Sequence, residues 1–192
     1  RDVVWVVGST HPGEEEQILE AYQELRAEFP ELVLVLAPRH IERTDEIAKL
    51  SEARGMKTVR RTRIKERNSE EHRVILLDTI GELTTVYQIA DIVFVGGSLI
   101  TRGGHKILEP ASVGKPVLFG PHMFNFVDIT RLMLENNAAI QVQDSNSLAR
   151  KLRELLKDED ERKALGERAR SVVEANRGAS ERIVDVVGEY FE

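Results

Sequence analysis

The densest run of chemically capable residues is at positions 96–110, GGSLITRGGHKILEP. Two glycine pairs, Gly96-Gly97 and Gly103-Gly104, flank one short loop, and glycines without a Cβ let backbone amides crowd against a phosphate. The apolar spacing over residues 105–113 predicts a helix opening near His105, turning its unpaired N–H groups and positive dipole end toward the same spot. The loop is not a Walker loop, because Lys106 is not followed by Ser or Thr. Nor is it the dinucleotide GxGxxG fingerprint, because the glycine spacing differs. Glu109 stands four positions beyond His105, one turn on along the same predicted face. A carboxylate there accepts hydrogen bonds from vicinal hydroxyls while amides hold phosphate, which is the pattern a nucleotide ribose needs. Such charge-assisted bonds are worth about 1.5–3 kcal/mol each. The competing explanation is an acidic residue placed in a first helical turn by the dipole alone.

Four other loops carry polar groups. In GSTHPGEEE, Gly8 allows a sharp turn, Thr10 or His11 can cap a helix, Pro12 suits a first turn, and Glu14 to Glu16 favour its positive end. Capping accounts for most of this, with Ser9 and His11 as candidate ligand contacts. In APRH, Pro38 stiffens the backbone and Arg39 offers a planar fork of donors and a stacking face, suited to an anion or a base as well as to solvent. In DTIGEL, Asp78 or Thr79 can cap, and Gly81 lets backbone approach a ligand closely. In GPHMFNF, His122 and Asn125 are candidates to line a cleft, with the phenylalanines in a core or staple. No HExxH-like set offers a metal site, and there is no G-x-S-x-G serine elbow.

The elements that must position these loops alternate. Strand-like runs at residues 3–7, 32–36, 74–77, 92–95 and 116–119, with shorter ones at 58–60 and 139–142, are mostly apolar on both faces. Helical patterns at 14–29, 44–54, 83–90, 105–113 and 126–136 separate them. Apolar strands joined by helices imply a doubly wound α/β domain, a parallel sheet covered on both faces, with ligands gathering at the carboxyl ends of its strands. After residue 142 only helix is expected, at 145–157, 160–175 and 179–191. The doubly charged stretch 60–73 is expected as a solvated loop. No repeat or linker divides the chain, so residues 1–192 form one domain.

Composition agrees. Of 192 residues, 41% are hydrophobic and 31% charged, enough for one large core and against global disorder. Aromatics at 5% disfavour an all-β sandwich. The formal net charge of −6 argues against nucleic-acid binding. The absence of cysteine removes disulfides, thiolate zinc sites and a cysteine nucleophile. No apolar run is long enough to span a bilayer. A start at Arg1, directly ahead of a strand pattern, is expected of a domain cut from a longer protein.

The motifs GSTHPGEEE, APRH, DTIGEL, VGGSL, GGHKILEPA and GKPVLFGPHMFNF, in this order, resemble the C-terminal domain of the Kdo (3-deoxy-D-manno-octulosonic acid) transferases, glycosyltransferases of GT-B architecture. The likeness runs from Gly8 to Phe126. It implies a Rossmann-like donor domain that binds CMP-Kdo, in an enzyme that passes Kdo to a lipid A precursor at the cytoplasmic face of the bacterial inner membrane. It implies that Pro38 and Arg39 border the cytosine, that Ile80 and Gly81 lie near the nucleoside, and that Glu109 receives the ribose hydroxyls. Gly97, Ser98, Gly104 and His105 would then face the phosphate. Lys106 departs from the family's usual GGHN, and either adds a cation near the phosphate or changes the loop's hydrogen bonding. The family's general base and membrane anchor belong to an N-terminal domain, so no catalytic residue is expected in this chain, and transfer is expected to need no metal. Residues 178–192, with Ile183, Val184, Val187, Tyr190 and Phe191, would form a terminal helix packing on this domain or across to the other. The glycine loops alone do not name the base. A UDP-sugar transferase or epimerase and a non-catalytic Rossmann-like module therefore stay open as alternatives.

Overall fold

A computed structural model describes residues 2–68 and 71–189, with side chains described through Asn176. Seven strands, β1 (Val3–Thr10), β2 (Leu32–Pro38), β3 (Thr58–Arg60), β4 (Val74–Leu76), β5 (Ile92–Val95), β6 (Val117–Phe119) and β7 (Ile140–Gln141), form one sheet in the order β3-β4-β2-β1-β5-β6-β7. Every pairing is parallel. The helices are α1 (Glu15–Leu25), α2 (Thr44–Glu52), α3 (Leu83–Ile89), α4 (Leu108–Ser112), α5 (Val127–Glu135), α6 (Ser145–Lys157) and α7 (Glu159–Glu189).

Both faces of the sheet are covered, and alternate residues of one strand feed different cores. Trp5 and Val7 of β1 pack with Ile18, Leu19 and Tyr22 of α1 and Leu148 and Leu152 of α6. Val6 of the same strand packs on the other side, where Tyr87 of α3, Met133 of α5 and Ala169 and Val172 of α7 gather. This two-sided burial is why the strands carry so few polar residues. From β1 the chain passes to β2, then to the edge strand β3, steps back to β4 between those two, and crosses to β5 to wind the other way. The direction reverses between β1 and β5, whose ends meet where Gly8 pairs with Val95. A crevice opens at such a reversal, outside the strand tips.

Three expectations change. The helix foreseen over 105–113 begins only at Leu108, so His105 precedes it. The two helices foreseen at 160–175 and 179–191 are one, α7, because the glycine at their foreseen junction, Gly178, costs a helix only about 1 kcal/mol. The proposed packing of residues 178–192 lies outside the described side chains. The charged stretch after β3 is not a free loop. Residues Arg61–Glu66 form a short 3-10 segment, tied down by Arg61 to Glu82 at 3.1 Å and by Thr62, whose amide and hydroxyl donate to Asp78 at 3.0 and 2.6 Å.

Candidate functional site

The tip of β1 is irregular. Its register with β2 shifts between Gly8 and Thr10, and Ser9 sits at φ +60°, a left-handed conformation that a serine holds only under constraint. Gly8 has no room for a side chain, because a Cβ there would run into the buried Tyr87 hydroxyl. Ser9 therefore faces the crevice, where Pro38, Arg39, Thr79, Ile80 and Gly81 join it around a cavity of about 330 Å³. Four residues expected near a nucleoside, Pro38, Arg39, Ile80 and Gly81, are thus brought together. Leu77 and Leu83 supply apolar wall, and Ile80 is 84% exposed at the rim.

Capping does not explain the polar residues of these loops. The first turn of α1 follows Glu14 with no side-chain cap, and the Thr10 hydroxyl is buried without a partner. At α3 the capping position is Glu82, again without a side-chain bond. Asp78 is committed to Thr62, and the Thr79 hydroxyl bonds the Glu82 carboxylate.

The glycine loop after β5 is held from behind by a side chain that sequence reading assigned only to the helix dipole. Glu14 is fully buried, and its carboxylate accepts the amides of Gly97, Ser98 and Leu99 at 2.7, 3.1 and 3.0 Å. Burial pushes its pKa up, and the three amide bonds partly offset this. The Ser98 hydroxyl donates to the Val95 carbonyl at 2.6 Å and accepts from the Gly120 amide at 2.8 Å. Gly97 and Ser98 were expected to face phosphate. Their amides and the serine hydroxyl are instead consumed inside the protein. Gly104 is corrected likewise: it is buried, donates to the Gly97 carbonyl at 2.9 Å, and has φ +75°, and a Cβ on it would strike the Met123 sulfur. These residues build the loop's fold and do not line a phosphate cradle.

What the loop presents outward is an imidazole cluster set among arginines. His105 packs over Gly97, and its Nε2 lies 2.8 Å from Nε2 of His11, with the two rings parallel to within 2°. His40 approaches His11 edge-on at 6.0 Å between ring centres. Burial first, then electrostatic repulsion from His105, Arg102, His40 and Arg39, drives the His11 pKa down to about 4. Burial and Arg39 lower that of His105. Arg39 therefore stands at both the cavity and the imidazole pair. Arg102 and His40 complete the cluster; both were present in motifs already noted but had not been singled out. The amides of His105, Lys106, Ile107 and Leu108 donate to no backbone acceptor among the described residues. Lys106 is exposed.

Glu109 is half-buried in the first turn of α4, and no described residue donates a hydrogen bond to its carboxylate. With His105 outside the helix, the two do not share a helical face as their spacing suggested. Glu109 lies near Tyr87, whose phenol is pushed above its usual range by burial and then by this carboxylate. Tyr87 belongs to α3, the helix that also brings Leu83 to the cavity. His122 and Asn125 stand beside the glycine loop. The His122 amide donates to the Ser98 carbonyl at 2.9 Å, and the Asn125 side chain donates to the Arg102 carbonyl at 3.3 Å. The His122 side chain lines a separate, largely apolar cavity of about 430 Å³ with Met123, Phe124 and Val127. Among the described residues no helix is long and apolar enough to cross a membrane.

Comparison with known proteins fits this geometry. Residues 14–172 match the model of the family described as glycosyl transferases group 1. A 3-deoxy-D-manno-octulosonic acid transferase of Haemophilus influenzae is 40% identical over 190 residues, 98% of this chain and 44% of that protein. The enzyme of the same name from Bordetella pertussis is 34% identical over 98% of this chain and 45% of its own length. The chain thus spans less than half the length of these curated relatives. The crystal structure of the C-terminal CMP-Kdo binding domain of WaaA from Acinetobacter baumannii superposes with a TM-score of 0.84 at 34% identity, over 90% of this chain and 89% of that one. An open parallel sheet reversing at β1 and β5, with a cation cluster at the reversal and this degree of identity, makes the chain a member of the group 1 glycosyltransferases, corresponding to the C-terminal domain of the 3-deoxy-D-manno-octulosonic acid transferases.

Proposed function

We propose that this chain is the donor-binding half of an enzyme that transfers Kdo from CMP-Kdo to a lipid A precursor in lipopolysaccharide biosynthesis. The observation that carries this reading is the position of Arg39, shared between a cavity of nucleoside size and a cluster of cationic side chains. The cytidine occupies the cavity against Pro38, Ile80 and Gly81, and the phosphate lies toward His11, Arg102 and His105. Lys106 adds a cation at the same loop. Glu109, with unfilled acceptor capacity, takes the ribose hydroxyls. The naming of the Acinetobacter neighbour as a CMP-Kdo binding domain supports the choice of base and sugar.

In transfer, the bond from the anomeric carbon to the phosphate oxygen breaks, and the electron pair stays on the departing phosphate. Fixed positive groups aimed at that charge stabilise it without reorganising. Because side-chain cations supply this stabilisation, the reading requires no metal. The acceptor hydroxyl is the lipid A precursor's own, and its general base and the attachment to the cytoplasmic face of the inner membrane are assigned to the remainder of the enzyme.

Calorimetric titration of the chain tests this. CMP should bind in preference to UMP and UDP, with an affinity unchanged by EDTA. Glu109→Ala should weaken CMP binding at least tenfold, about 1.4 kcal/mol. A clear preference for UDP, or an unaltered CMP affinity in Glu109→Ala, would overturn the assignment.

A further inference from the structure

We propose that His11 and His105 form a single proton-carrying unit, which takes up one proton as the donor's phosphate arrives and returns it to the phosphate oxygen that leaves with cytidylate. The inference rests on the functional reading above and deepens it.

The contact itself sets the stoichiometry. Two Nε2 atoms at 2.8 Å can share only one hydrogen, so one ring donates and the other accepts. In the neutral pair, the donating ring carries its proton on Nε2 and has a bare Nδ1, while the accepting ring carries a proton on Nδ1. Neither Nδ1 has a hydrogen-bond partner among the described residues. One added proton has one place to go, the bare Nδ1. The product has two Nδ1–H donors, one at each far end of the pair, and a single positive charge. A second proton would set two N–H groups against each other and break the contact. The pair thus holds zero or one extra proton, and only the charged form sets both a positive charge and an Nδ1–H donor at whichever end an anion approaches.

The surroundings decide which form is present. On the β2 side stand Arg39 and His40, with the Glu42 carboxylate 3.7 Å from the His40 ring. On the β5 side stand Arg102 and, next in sequence to His105, Lys106. Behind Gly97 lies the Glu14 carboxylate, already bound to three amides. Cations dominate the side facing the pair, so the empty site keeps it neutral at pH 7, in line with the depressed values of both rings. A phosphodiester brings negative charge among these cations and an acceptor oxygen to one Nδ1–H, and this favours the protonated form. When the anomeric C–O bond breaks, its electron pair goes to the phosphate oxygen, and the Nδ1 proton follows. The pair returns to neutral. The acceptor hydroxyl forms the new C–O bond and loses its own proton to the base elsewhere in the enzyme.

The test uses cytidine 5′-(methyl phosphate), a diester whose single negative charge does not titrate near neutrality, with cytidine as the control lacking phosphate. Titration in buffers of different ionisation enthalpy should show uptake of up to one proton per diester bound at pH 7, and none for cytidine. Affinity for the diester should fall about tenfold per pH unit between the pair's pKa in the empty site and that in the complex, levelling above it. The double variant His11→Gln with His105→Gln should bind the diester more weakly, without proton uptake and without this slope, while keeping its cytidine affinity. Without any variant, ¹⁵N shifts of the imidazoles should report one protonated Nδ1 in the free chain and two in the complex. Diester binding with no proton uptake overturns this inference and leaves the donor reading intact. Uptake that persists in the double variant also overturns it. A diester that binds no better than cytidine overturns both.

Discussion

A carboxylate without solvent is expensive to hold and more expensive to lose once amides have organised around it. Glu14 is such a group, and its three donors are consecutive amides of the loop that carries His105 toward His11. Each buried N–H left without an acceptor costs roughly 1–3 kcal/mol. Glu14→Ala strands three at once, so it should destabilise the chain by about 3–5 kcal/mol, with urea unfolding as the measurement. Glu14→Gln should cost distinctly less, because its carbonyl oxygen still accepts while only its NH₂ group opposes an amide. A loss below about 1 kcal/mol for Glu14→Ala would mean that the loop holds its shape by itself, through Ser98 and the Gly97–Gly104 bond. Nothing near Glu14 in sequence announces this role. Its partners lie 83 to 85 positions away, and three successive glutamates ahead of a helix read equally well as dipole decoration. The His11–His105 contact, spanning 94 positions, was invisible for the same reason.

At the scale of elements, legibility followed the range of the forces involved. Strands apolar on both faces and helices with apolar spacing of three and four could be read because burial imprints its period on local sequence. That recovered all seven strands and the order of helices, and with them the strand tips that carry Arg39 and Gly81, while Ile80 was marked only by the family resemblance. Helix starts were less legible. His105 and Lys106 fit the pattern of α4, but Gly103 and Gly104 take φ of +92° and +75° to pack against Asn125 and Met123, and the chain turns helical only afterwards. A different close approach fixes α7 to the sheet. A Cβ on Gly166 would collide with the Gly114 carbonyl in the turn leading to β6. In a free helix, alanine is preferred over glycine by about 1 kcal/mol. Here the backbone would have to separate, at a cost of about 1–3 kcal/mol. Net of the helix preference, Gly166→Ala should lower stability by up to about 2 kcal/mol, read as a fall in the thermal midpoint. A rise would show that α7 can move away from the Gly114 turn without penalty.

Over the whole molecule the charge pattern appears contradictory: a chain of net charge −6 is assigned an anionic ligand. Distance resolves this. Arg39, Arg102 and Lys106 sit within one edge of the sheet, whereas many of the acidic side chains are spent in ion pairs elsewhere, such as Glu24 and Glu28 with Arg153 and Asp2 with Arg67 and Arg73. At physiological ionic strength, charges beyond about 8 Å are screened, so a bound phosphate responds chiefly to the local cations and hardly to the distant carboxylates. Part of the attraction between an open cluster and its anion is itself screened by added salt. Raising salt from about 50 to about 500 mM should weaken binding of cytidine 5′-(methyl phosphate) several-fold and leave cytidine unaffected. Equal responses of the two ligands would place the phosphate away from Arg39 and Arg102. An increase in diester affinity with salt would mean that the net negative charge, and not the cluster, governs the approach of the donor.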